Sequence, residues 1–230
     1  MSEPEHLTKR VADPAADLAA ERVDYVGDHL LESAVPDEPF ALFRRWLADA
    51  FAARDRGELA EPTAMVVATC DAGRPRVRTV LLKELRADGF TFFTNYDSAK
   101  AAEIAANPAV GLHFGWHAIH RQVRVAGAAE PVARAESKAY FATRPRGSQL
   151  GAWASSQSSP VGSLADLQTS YAAVEARFDG ADVPCPPHWG GYLVRPTEIE
   201  FWQGQPSRMH DRLVYRLTDE RTWTITRLAP

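Results

Sequence analysis

The segment RTVLLK places two cations, Arg78 and Lys83, at the ends of a run that otherwise belongs in a sheet. Side chains of a strand alternate between its faces, so Arg78, Val80 and Leu82 share one side and Thr79, Leu81 and Lys83 the other. The two cations then serve two different anions, or one anion and solvent; a pair of exposed strand charges is the plainer alternative. Thr94, Ser98 and Lys100 follow, and hydroxyls, the free N–H groups of a helix start and an ammonium together make a phosphate cradle. Gln122 lies in a further strand. In KAYFATRPRGSQLGAW, Tyr140, Arg144 and Ser148 recur every four residues, so a helix, even one broken at RPR, turns them toward a common oxyanion. An ordinary surface arginine pair at a helix end is the alternative there. Finally, EFWQGQPSRMHDR gathers Trp202, Arg208, His210 and Arg212 at a hairpin, and alternation puts Arg208, His210 and Arg212 on one face.

The elements that must carry these residues are mostly short strands. Asp37 is a candidate N-cap with Pro39 in the first turn, and Phe40, Phe43, Trp46, Leu47, Ala50 and Phe51 give residues 38–55 the period of an amphipathic helix. From residue 63 the period becomes two. Strands are expected at 64–70, 76–85 and 90–95, separated by DAGRP and ADG turns, then at 110–116 and 121–132. Ser98 is expected to cap a short helix through Ala105. Helices follow at 134–143, 148–154 and 163–178, with the polar loop SSQSSP inside that section. The chain then returns to strands at YLVRP, EIEFWQG, RLVYRLTD and TWTITRL. Consecutive hairpins with helices inserted late indicate a mainly β, α+β chain folded as one antiparallel barrel, its last strands closing the sheet begun at residue 64. Residues 1–36, Pro-punctuated and weakly periodic, read as a flexible arm, leaving 37–230 as a single domain. Arg22 and Tyr25 are the arm's residues with recognition chemistry.

Composition narrows the class. The 230 residues are 45% hydrophobic and 24% charged, ordinary globular proportions that exclude disordered, collagenous and coiled-coil readings. A net charge of −4 makes a nucleic-acid partner a poor fit. The basic residues are 22 Arg against 4 Lys, so each Lys within a polar cluster is conspicuous. Cys70 and Cys185 form no CxxC pair, and the seven histidines show no ligand spacing with carboxylates, so no metal site is expected. Dinucleotide, P-loop, GxSxG and HExxH signatures are missing from the sequence. No run approaches the ~20 apolar residues of a membrane span, and a cytoplasmic enzyme or binding protein is the expectation.

The segments RTVLLK, FFTNYDSAK, RQVRVAG, YFATRPRGSQLGAWAS, QSS, WGGYLVRPTEIEFWQG, RMHDR and RLAP occur in the order seen in the pyridoxamine 5′-phosphate oxidase family, which the chain resembles over about residues 38–230. The resemblance implies a split β-barrel homodimer with FMN at the subunit interface. It also implies oxidation of pyridoxine or pyridoxamine 5′-phosphate by O2 to pyridoxal 5′-phosphate and hydrogen peroxide, in vitamin B6 biosynthesis or salvage. Position by position, Arg78 and Lys100 resemble the cations on the FMN phosphate, and Thr79, Val80, Leu81, Leu82 and Lys83 the strand along the flavin, with Phe93 and Thr94 beside it. Gln122, Gln157, Ser158, Trp202 and Arg212 match further FMN positions. Lys83, Tyr140, Arg144 and Ser148 match the grip on the substrate phosphate. Arg208 and His210 match the catalytic residues that flank the pyridine ring, and Arg22 and Tyr25 an N-terminal lid element.

Two positions depart from the family pattern. Ala99 stands directly before Lys100, where an Arg is common, and the lost charge-assisted contact, worth roughly 1.5–3 kcal/mol, predicts FMN binding about 10–100-fold weaker. Gly115 stands where Pro is common before the Trp. Two other readings are carried forward: a barrel of similar shape acting as a flavin or deazaflavin reductase, for which Tyr140, Arg144 and Ser148 would be incidental, and a module that binds FMN or pyridoxal phosphate without turnover.

Overall fold

The computed structural model describes residues 23–230. Strands β1 (Ala64–Asp71) and β2 (Arg74–Leu81) form a hairpin whose turn residues Ala72 and Gly73 both take positive φ, 47° and 83°. On the other side of β1 lie β5 (Ala109–Trp116), β6 (Arg121–Pro131) and then β7 (Trp189–Gln203), all antiparallel. β6 pairs with β7 from Tyr192 to Gln203. The opposite edge of β7 is shared: β4 (Phe90–Asn95) pairs with its first part and β8 (Asp211–Leu217) with its last. β3 (Glu84–Leu85) adds to β4, and β9 (Trp223–Arg227) to β8.

The sheet does not close as the sequence suggests. The expected strand 76–85 is two strands, because the chain bends at Leu82-Lys83 and changes partner. Leu82 N–H donates to the Thr63 carbonyl at 2.8 Å, and Lys83 N–H to the Thr91 carbonyl at 2.9 Å. This bend, with the Leu82 side chain buried, joins the β1 side of the sheet to the β4 side and shapes the barrel; the terminal strands branch from β7 instead. YLVRP and EIEFWQG likewise form one continuous strand, β7. Pro196 falls opposite Gly127, at a register shift in β6, where a missing ladder N–H is tolerated.

Helix α1 (Pro39–Asp55) starts one residue later than expected. Glu38, not Asp37, is its N-cap, without a side-chain bond, and Pro39 supplies the helical φ of the first turn. Its buried Phe43 meets Phe114 and Phe90 edge-on at 4.9 and 5.0 Å, and Trp46 meets Phe201 at 5.2 Å, so the aromatic stripe fills the barrel. Helix α2 (Ala99–Ala106) follows Ser98, whose hydroxyl does not cap it but donates back to the Asn95 carbonyl at 2.7 Å. Helices α3 (Arg134–Ala142), α4 (Arg146–Ala154) and α5 (Leu164–Arg177) cover a second, smaller core of Phe141, Leu150, Phe178, Val183 and Trp189.

Residues 23–36, which the sequence assigns to the arm, lie against the sheet. Leu30 is buried, its N–H donates to Asp211 Oδ2 at 3.1 Å, and its carbonyl accepts from Arg227 Nη2 at 2.6 Å. No described helix is long and apolar enough to cross a membrane.

Candidate active site

The bend at Leu82 opens a cleft between β2, β4 and the α3–α4 pair, with a volume of about 490 Å³. Thr79, Val80, Leu81 and Lys83 form one wall, and Phe93, Thr94 and Lys100 the next. Tyr140, Arg144 and Ser148 face them from α3, the turn after it, and α4, and Gln157 reaches in from the polar loop. The four-residue spacing of Tyr140, Arg144 and Ser148 therefore brings them together although the helix breaks between them.

Two cations dominate this cleft. Lys100 is 9% exposed, and its ammonium donates to Thr94 Oγ1 at 2.9 Å, Ser98 Oγ at 3.2 Å and Gln157 Oε1 at 2.5 Å. None of these acceptors is a carboxylate. Burial, and secondarily the charge of Arg78, holds its pKa down to about 8. Arg144 stacks over the Trp189 ring, 4.7 Å from its centroid, and its buried Nη1 has no partner among the described residues. Burial lowers its pKa as well. Neither the buried Lys100 ammonium nor the buried Nη1 of the half-buried Arg144 has a carboxylate partner among the described residues, and both residues line one cavity, so the cavity suits a ligand or ligands with two anionic groups. Phe93 stacks on Tyr140 at 4.0 Å and on Trp189 at 5.3 Å, giving the space between the cations a flat aromatic wall.

A second cleft, about 430 Å³, lies where β6 begins and β7 ends. Tyr25, Gln122, Trp202, Arg208 and His210 line it. Arg208 and His210 do not sit on a strand face. The chain leaves extended geometry in a 3-10 turn, with Ser207 at φ 55° and Arg208 at φ 62°, and β8 begins only at Asp211. Left-handed backbone at non-glycine residues is strained and collects at functional sites; Ser158, at φ 71°, shares it. His210 Nδ1 accepts the Gln205 N–H at 3.1 Å, so the neutral ring carries its proton on Nε2. Burial first, and then the Arg208 charge, lowers the His210 pKa, which keeps that ring neutral. Tyr25 packs edge-on against both His210 (5.6 Å) and Trp202 (5.8 Å).

Four expected residues lie outside both clefts, and a fifth outside the described residues. Arg78 does not line the first cleft; it pairs with Glu103 at 2.6 Å. Leu82 is in the core. Arg212 is held by Glu200 at 2.8 Å and by the Ala229 carbonyl at 2.9 Å, away from Arg208 and His210. Ser158 is exposed next to the cleft residue Gln157, and Arg22 falls outside the described residues. Sequence reasoning missed Trp189 and Gln205: the first stands before two glycines at a strand start, and the second betrays itself only by its contacts.

Comparison with known proteins gives the family of the chain. Residues 52–178 match the family described as pyridoxamine 5′-phosphate oxidase, and residues 189–230 the pyridoxine 5′-phosphate oxidase C-terminal dimerisation region. The chain belongs to the pyridoxamine 5′-phosphate oxidase family. Within it, the chain is 49% identical to the pyridoxine/pyridoxamine 5′-phosphate oxidase of Streptomyces avermitilis, over 95% of this chain and 98% of that one. The Synechocystis sp. protein of the same name is 51% identical, over 93% and 98% of the two chains. Among solved structures, PhzG from Burkholderia lata 383, in complex with tetrahydrophenazine-1-carboxylic acid, superposes with a TM-score of 0.81 at 30% identity, covering 88% of this chain and 98% of that one. The nine-stranded antiparallel sheet with five helices is thus the split barrel of a pyridoxamine 5′-phosphate oxidase.

Proposed function

We infer that the chain oxidises pyridoxine or pyridoxamine 5′-phosphate with O2 to pyridoxal 5′-phosphate and hydrogen peroxide, using FMN. The observation that carries this reading is the pair of cations that line one cleft, the buried Lys100 and the half-buried Arg144 with its unpartnered Nη1. FMN and the substrate each bring a phosphate, and each phosphate needs a cation. FMN, when bound, supplies the hydride acceptance and the reaction with O2.

The residues divide the remaining work. Lys100, with Thr94 and Gln157, holds the FMN phosphate, and Thr79, Val80, Leu81 and Phe93 lie along the flavin. Lys83, Tyr140, Arg144 and Ser148 hold the substrate phosphate; the arginine fork fits two phosphate oxygens at once. Arg208 and the Nε2–H of His210 flank the pyridine ring and orient the reacting carbon, where alignment lowers the barrier. Gln122 and Trp202 complete the flavin contacts, and Tyr25 covers the ring from the N-terminal side.

Homodimerisation lets these parts meet. Trp189, in the cleft with Lys100, and Trp202, in the cleft with His210, lie 13 residues apart on β7, a contour of roughly 40 Å at 3.3 Å per residue. We therefore assign each active site one cleft from each protomer, with FMN between them. Residues 37–230 act as one domain, and a cytoplasmic setting agrees with the free thiols of Cys70 and Cys185.

The test is an anaerobic titration of FMN-loaded protein with pyridoxine 5′-phosphate and then pyridoxamine 5′-phosphate, following the flavin visible band. Bleaching that recovers in air is the expected result; a band unchanged by both substrates overturns the oxidase and leaves a binding module. Arg144→Lys should raise KM about 10- to 100-fold with FMN still bound, from the lost fork. An unchanged KM would favour the reductase reading, in which no substrate phosphate is gripped.

A further inference from the structure

One carboxylate stands inside the cation set given above to the cofactor phosphate, and no role has been assigned to it. Glu103, on α2, has a side chain only 11% exposed. Its Oε2 accepts from Arg78 Nη2 at 2.6 Å and from the Thr69 hydroxyl, while Arg78 Nη1 donates to that same hydroxyl. The three side chains form a closed triangle linking α2, β1 and β2. With the Arg78 side chain 22% exposed, the ion pair is largely shielded from water, where attraction between charges is stronger. The triangle keeps the guanidinium out of the cleft that its neighbours Thr79, Val80 and Leu81 line. Glu103 also acts on the remaining cation, since its charge opposes the lowering of the Lys100 pKa by burial and by Arg78. Set against a phosphate dianion, the cluster therefore offers two cations and one fixed carboxylate, and Ala99 adds no third cation.

We propose that Glu103 is an internal competitor of the FMN phosphate: it holds Arg78 away from the cleft and thereby sets a weaker affinity for the cofactor. The proposal rests on the reading of this cleft as the FMN site. Two effects act in the same direction. Only molecules in which Arg78 has left Glu103 can present it to a phosphate, which multiplies the affinity by that fraction. The carboxylate also repels the incoming dianion. If Glu103 instead served to orient Arg78 toward the phosphate, its removal would weaken binding, so the sign of the effect decides.

The experiment titrates the full chain, stripped of flavin, with FMN and separately with riboflavin, following the quenching of flavin fluorescence. Glu103→Gln preserves shape and removes the charge. It is expected to tighten FMN about tenfold, by the freed fraction of Arg78, and to leave riboflavin, which lacks the phosphate, unchanged. In an Arg78→Ala background the same substitution should gain less than about threefold, because the two residues act as a coupled pair. Glu103→Asp, which keeps the charge but shortens the arm, should fall between, and it decides by the same criterion if the Gln variant does not fold. FMN binding that is unchanged or weaker in Glu103→Gln overturns the proposal, as does an equal gain for riboflavin. A wild-type chain that binds neither flavin overturns the FMN reading itself, whereas one that binds FMN with no response at residue 103 overturns only the competitor.

Discussion

At the scale of single residues, the buried ammonium of Lys100 gives the proposed FMN-phosphate site a pH dependence of known direction. Its pKa is lowered from 10.5 to about 8, by burial first and by Arg78 second, against the opposing charge of Glu103. The free protein thus loses this charge as pH rises through about 8, and phosphate affinity is expected to follow. The phosphate itself becomes a monoanion below about pH 6. FMN affinity measured by fluorescence quenching should be flat between those limits and fall as pH rises through about 8, up to tenfold per unit; an affinity constant to pH 10 would remove Lys100 from the phosphate. What the sequence showed of this site follows from geometry that side chains cannot escape. Alternation along RTVLLK separated Arg78 from Lys83, and of the two Lys83 lines the cleft while Arg78 pairs with Glu103. The same rule applied to Arg208, His210 and Arg212 failed because Ser207 and Arg208 take left-handed backbone, for which Gln-Pro-Ser-Arg carries no signal. Glu103 was invisible for another reason: in an Ala-rich helix it looks like any solvated glutamate, and only the fold sets it beside Arg78.

At the scale of elements, the strands were legible and their breaks were not. Pro196 reads as the end of a strand, yet β7 runs through it because the register shift between Ala126 and Gly127 falls opposite. Gly127 is required there: a Cβ would run into the Arg195 carbonyl. Gly127→Ala should therefore destabilise the fold by about 2 kcal/mol or more, lowering Tm by roughly 4–8 °C in a thermal melt. An unchanged Tm would mean that the bulge relaxes freely. The bend at Leu82-Lys83 escaped the sequence because side-chain period and hydrogen-bond partner are separate properties. The in-and-out pattern continues through the bend while the backbone moves from Thr63 to Thr91. That bend places Lys83 in the cleft and Leu82 in the core, so the element with the clearest motif also closes the barrel.

At the scale of the whole molecule, the N-terminal segment and the C-terminal strand hold each other. Asp211, 7% exposed, accepts from Leu30 N–H, His29 Nδ1, Gln205 Nε2 and Arg227 Nη1, and Gln205 in turn holds His210 through its backbone N–H. The second cleft is thus assembled from both ends of the described chain, while the first is built from its middle, and β7 runs between them. This division has a genetic consequence. A chain carrying Arg144→Ala damages only the first cleft, and one carrying Arg208→Ala only the second. Purified alone, each should be nearly inactive. Co-expressed, half of the dimers formed at random pair one variant with the other. In every such hybrid one of the two active sites draws both of its clefts from undamaged halves. The mixture should recover roughly a quarter of wild-type activity by complementation, from two parents that have almost none. A mixture as inactive as its parents would mean that each chain closes its own site.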